Sequence, residues 1–165
     1  MKISLEEIQR VANQGPFYPD WDSLATYQVP HWFKRAKFGI FIHWGLYSIP
    51  AFGSEWYSRN MYIQGTAEFD HHIKTYGLHK DFGYKDFIPL FTAENFHADE
   101  WLRLFKEAGA QYMFPVAEHH DGFQLYASQL SPFNSVEMGP KRDILGELSQ
   151  AAQREQVHFC TSSHR

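Results

Sequence analysis

The chain has 165 residues, enough for one domain with a real core. Hydrophobic residues make up 44% and charged residues 21%, which excludes a disordered chain. The net charge of −4 gives no electrostatic reason to expect nucleic acid or an anionic membrane as partner, and a single cysteine excludes an intrachain disulfide.

The N-terminal stretch MKISLEEIQR holds no apolar signal region, and no run is long enough to span a membrane. The expected setting is cytoplasmic, or periplasmic or secreted if a signal has been removed. Ser4 with Glu7 forms a capping box, with Ile3 and Ile8 as its hydrophobic staple. A helix over Leu5–Ala12 follows and stops near Gly15 and Pro16. Pro30 opens a further helical turn through Arg35.

Phe38–His43 is a nearly continuous apolar run of strand length, the pattern of a parallel strand buried on both faces. Leu46–Ala93 then reads as one long irregular segment, and loops of that length are usually functional. Asp99–Ala108 is a helix with Trp101, Leu102, Phe105 and Ala108 on one face and Gly109 as its stop. Tyr112–Ala117 is the second strand. Asp143 caps a helix running through Gln156 with Ile144, Leu145, Leu148, Ala151 and Ala152 as its apolar stripe. Val157–Thr161 is the third strand, and Cys160 within it reads as a small buried side chain. This alternation predicts an α/β fold of about three parallel strands with intervening helices.

Each strand ends in groups that can do chemistry. The first closes on His43 and Trp44, the second on Glu118, His119, His120 and Asp121, the third on His164 and Arg165. Polar groups at the C-terminal ends of successive parallel strands mark the active-site face of a βα-barrel. Glu55 and Trp56 add a carboxylate–indole pair in the loop after the first strand. The aromatic content of 18% suits both core and platforms for sugar rings.

On an extended strand the consecutive His119 and His120 face opposite sides, and no HExxH pattern is present. No metal site and no cofactor are therefore expected. Both imidazoles can instead hydrogen-bond to hydroxyl groups, with Glu118 and Asp121 orienting them. His71 and His72 read as loop-packing residues, and Lys141 and Arg142 as the solvated start of a helix.

Five motifs together carry a resemblance: AKFGIFIHWGLYS (Ala36–Ser48), GSEWYSRNMY (Gly53–Tyr62), FHADEWLRLFKEAGAQY (Phe96–Tyr112), EHHDGFQLYAS (Glu118–Ser128) and GPKRDILGEL (Gly139–Leu148). They span nearly all of Trp32–Arg165, and on them the chain resembles the α-L-fucosidases of glycoside hydrolase family 29. The resemblance implies the N-terminal part of a (β/α)8-like, TIM-type catalytic barrel, with a β-sandwich domain usually following. It implies retaining hydrolysis of terminal α-L-fucose from glycans or glycosides, through a covalent glycosyl-enzyme. It carries the fucose-binding pocket onto His43, Glu55, Trp56, His119 and His120. The nucleophilic Asp of the family follows the fourth strand, beyond Arg165, as does the usual acid/base, so no catalytic residue is assigned within this chain.

A complete barrel needs about 250 residues, so residues 1–165 are expected to be its N-terminal part, with the rest of the barrel and any β-sandwich absent. The expected partner is a fucosylated carbohydrate. Self-association, or association with the missing C-terminal half, is expected of the uncovered sheet. Two other readings stand beside this one: a non-catalytic fucose-binding module, and a metal-dependent hydrolase using His43, His119 and His120.

Overall fold

A computed structural model describes residues 4–164. Ile3 of the expected staple and Arg165 of the third strand end lie outside the described residues. The chain divides into two compact units, 1–37 and 38–165.

The first unit holds three short helices: α1 (Leu5–Ala12), α2 (Trp21–Ala25) and α3 (His31–Ala36). The Ser4 hydroxyl accepts from the Glu7 backbone N–H at 3.1 Å, as the capping pattern requires. Glu7 itself turns its carboxylate towards Arg10, 3.8 Å away. Asp20 caps α2 in the same way, accepting from Ser23 at 2.7 Å. That helix, of five residues, is too short to show a hydrophobic period in the sequence. Pro30 sits at the N-cap of α3, one place before the expected first turn.

The second unit is built on β1 (Gly39–Ile42), β2 (Tyr112–Glu118), β3 (His158–Phe159) and β4 (Ser162–Ser163). All pair in parallel, with β2 central between β1 and the β3/β4 segment. The expected third strand, Val157–Thr161, holds only β3, and a second short piece, β4, follows just beyond it. Both lie on β2, and their register shifts by one residue between Val116 and Glu118, which is a bulge. Helices α6 (Ala98–Glu107) and α7 (Ile144–Glu155) form the crossovers. The architecture is the expected three-strand parallel α/β arrangement, and the sheet is open.

One face of the sheet makes the core. Met113 of β2 is fully buried in a cluster with Leu102 of α6 and Leu148, Ala151 and Ala152 of α7. The other face is open at β1, around Phe41, although Val116 further along β2 is buried, and this corrects the expectation for β1. Phe41 is 44% exposed and stacks on its register partner Phe114, with centroids 4.3 Å apart. Strand alternation puts these rings opposite Ile40 and Met113, away from the helices. Gly39 is required here: a Cβ would lie 2.2 Å from the Tyr112 ring, which crosses the strand at that point.

The segment expected to be a long loop contains real structure. It holds two 3-10 helices (Leu46–Ser48 and Tyr84–Leu90), α4 (Tyr57–Asn60) and α5 (Ala67–Tyr76). Thr66 caps α5, accepting from Phe69 at 3.1 Å. His71 and His72 lie on that helix rather than in a loop. His72 is fully buried and bonds the Phe82 carbonyl at 2.9 Å. The irregularity read from the sequence came from dense aromatic and histidine content, which masks a helical period.

Two smaller expectations also change. Cys160 is half-buried rather than buried, with its N–H bonded to Met113. Arg142 is not solvated. Its guanidinium reaches Glu147 at 2.9 Å and 2.5 Å, the carbonyls of Ala93 and Phe96 at 3.2 Å and 3.1 Å, and lies over the Phe96 ring. It ties the start of α7 to the segment preceding α6.

Candidate active site

The C-terminal ends of the strands converge on one cluster of rings. β1 delivers His43, β2 delivers His119 and His120, and β4 delivers His164. His119 is at the centre. Its ring centroid lies 5.8 Å from His43, 5.0 Å from His120, 4.9 Å from His164, 5.7 Å from Trp56 and 5.3 Å from Tyr47. Trp56 stacks on His120 at 4.6 Å. Glu55 belongs to the same place, since its charge acts on both His119 and Tyr47. All five residues read from the sequence, His43, Glu55, Trp56, His119 and His120, therefore meet in one region.

The expectation that His119 and His120 face opposite sides fails, for a local reason. β2 ends at Glu118 and the chain turns immediately. The Gly122 N–H donates to the His119 carbonyl at 2.9 Å, and Gly122 adopts a positive φ of 73°. The strand alternation stops before it reaches the two histidines, so both rings share the cluster.

The same turn overturns the orienting role expected of Asp121. Its carboxylate accepts from the Tyr84 hydroxyl at 2.7 Å and from the Phe123 N–H at 3.1 Å. Burial raises its pKa, against the lowering effect of those two bonds. Glu118 is buried and accepts from Gln124 and Tyr126, each at 3.3 Å.

Electrostatics single out His119, which is 3% exposed. Burial chiefly, then the neighbouring His164 and His120, push its pKa down to about 4; Glu55 acts in the opposite direction. At neutral pH it is an uncharged ring, donor at one nitrogen and acceptor at the other. Its Nδ1 has no hydrogen-bond partner among the described residues, nor has the buried Tyr47 hydroxyl. These unfilled polar atoms lie in the same cluster as an exposed indole, Trp56, and an exposed imidazole, His120.

Two members of the cluster were not chosen from the sequence. His164 was seen only as a strand end. Tyr47 lies in the Ala36–Ser48 motif, four residues after His43, where the 3-10 helix Leu46–Ser48 returns it to the site.

A parallel α/β sheet with histidine, indole and carboxylate groups gathered at its strand ends has the layout of the active-site face of a βα-barrel enzyme. The chain belongs to the alpha-L-fucosidase family, whose model matches residues 4–165. It is 39% identical over 155 residues to human tissue alpha-L-fucosidase, covering 93% of this chain and 33% of that protein. It is 44% identical over 136 residues to human plasma alpha-L-fucosidase, covering 82% and 29%. The fold matches the crystal structure of Thermotoga maritima alpha-fucosidase with a TM-score of 0.83 and 43% identity, over 89% of this chain and 37% of that one. The chain thus spans about a third of the length of these relatives. Among the described residues no helix is long and apolar enough to cross a membrane.

Proposed function

We propose that this chain supplies the fucose-binding wall of a retaining α-L-fucoside hydrolase, and that residues 1–165 are the N-terminal part of its catalytic barrel. The observation that carries the reading is the convergence of the His43, Trp56 and His120 rings on His119, whose Nδ1 has no partner among the described residues, with Glu55 next to Trp56 in the chain. The histidines and Glu55 hydrogen-bond the sugar hydroxyls, and Trp56 lines the apolar side of the ring. A solved relative in complex with fucose, the Thermotoga maritima enzyme, supports the ligand class. The substrate is a fucosylated glycan or glycoside.

Retaining hydrolysis needs two carboxyl groups about 5–5.5 Å apart, one ionised and one protonated. Glu118 and Asp121 are held by neighbouring side chains and the backbone, so the catalytic pair is assigned to a part of the barrel outside this sequence. The test is to incubate the purified chain with an aryl α-L-fucoside. No turnover is expected alone, and activity is expected once the downstream part of the barrel is supplied. Enzyme-like turnover by the chain alone, abolished by Glu55→Gln, would show that the carboxylates are placed wrongly.

The bonds on Glu118 and Asp121 also favour a second reading, a fucose-binding module without catalysis. Folded chain that binds fucose and gains no activity from any downstream partner would establish it. On either reading the exposed face around Phe41 and Phe114 takes the rest of the barrel or a second copy. Sedimentation of the chain alone should then show association that rises with concentration, and a monodisperse monomer would contradict it.

A further inference from the structure

Three of the imidazoles stand apart from the sugar reading in one respect: a nitrogen of each lies close to a nitrogen of the other two. His43, His119 and His164 come from three different strand ends, and one nitrogen of each lies within 4.8 Å of the other two. Their ring centroids are 5.8 Å, 5.3 Å and 4.9 Å apart. A tetrahedral ion held by three imidazoles at about 2.0–2.1 Å sets the nitrogens roughly 3.3 Å apart and the ring centroids about 5 Å apart. The ring centroids are already close to that spacing, and the nitrogens must draw closer by side-chain rotation to close the site.

The chemistry of the three rings agrees. His119 is buried, with a polar nitrogen that nothing in the described residues satisfies. His164 is held in orientation by a 2.8 Å bond between its Nε2 and the Ser162 hydroxyl. His43 is exposed, which leaves an entry path and a fourth position. His120 is not a member: its ring is stacked on Trp56.

We propose that His43, His119 and His164 bind one divalent transition-metal ion of the zinc class, and that this ion competes with sugar for the same nitrogens. The metal-binding half stands without the sugar reading; the competition half rests on it. The test is calorimetric titration of the purified protein with zinc, with cobalt as a spectroscopic probe of tetrahedral nitrogen ligation. One equivalent should bind. His164→Ala and His43→Ala should each weaken binding by at least about tenfold, while His120→Ala should change it by less than about twofold. Circular dichroism of each variant establishes that it is folded, and His164→Asn keeps a polar side chain of similar size should the alanine variant not fold. The absence of saturable binding, or binding that survives both His164 and His43 substitutions in folded protein, overturns the proposal. Excess L-fucose should weaken zinc binding. Zinc bound with fucose without effect overturns the competition, and separate titration with fucose alone then shows whether the sugar reading fails with it.

Discussion

Trp56 and His120 stack with centroids 4.6 Å apart and planes 21° from parallel, although one lies in the loop after β1 and the other follows β2. The pair joins two loops into one wall. Trp56 remains 40% exposed, so the stack uses one face of the indole and leaves apolar surface for a ligand. Trp56→Ala removes that surface and frees His120 to rotate. It should weaken L-fucose binding by about 1–2 kcal/mol, the combined scale of aromatic contact and lost positioning. Calorimetry of wild type and variant checks this, and an unchanged affinity would place the sugar elsewhere.

The depressed pKa of His119 has a consequence for stability. In the unfolded chain this imidazole takes up a proton below about pH 6.5, and in the folded chain only near pH 4. Between those values the unfolded state binds more protons, so stability rises with pH across the window and falls as the pH drops through it. Burial lowers the pKa of His72 as well, with the same sign. Asp121, raised by burial, acts in the opposite sense. The expected net result is a melting temperature that falls from pH 7 to pH 5, with a shallower fall in His119→Gln. Equal slopes for the two proteins would show that His119 does not carry the effect.

Arg142 is the clearest structural staple in the second unit. It makes a two-pronged contact with Glu147 and donates to the carbonyls of Ala93 and Phe96. Arg142→Met keeps much of the aliphatic stem but removes the guanidinium that lies over Phe96 and leaves both carbonyls and Glu147 without this donor. The expected loss is about 2–3 kcal/mol, the scale for charge-assisted bonds at a half-buried site. Urea unfolding measures it, and a loss under about 0.5 kcal/mol would mean that water replaces these bonds at no cost.

The elements with strong local signals were legible in the sequence. α1 begins and ends where Ser4 and the apolar spacing put it, and α7 follows Asp143, whose carboxylate accepts from Gly146 at 2.9 Å. β1 and β2 were found as apolar runs, because a parallel strand next to packed helices needs them. What escaped was decided by tertiary contact. Arg142 looked solvated because its partners Ala93 and Phe96 are far away in sequence. His164 looked incidental because its neighbours His43 and His119 come from other strands. His119 and His120 share one cluster because period-two alternation ends at Glu118, and Asp121 takes its partners from Tyr84 and Phe123 of the turn rather than from the histidines it flanks. The five pocket residues were read through the family resemblance. Residue chemistry alone marked their strand ends without fixing their roles.

The central claim is that the cluster around His119 holds L-fucose, and direct titration of L-fucose into the purified chain tests it most simply. One saturable site is predicted, weakened by about 1.5–3 kcal/mol in His119→Gln, the cost of leaving a buried polar partner unmatched. A folded chain that shows no saturable binding, or one in which His119→Gln binds as well as wild type, would contradict the account.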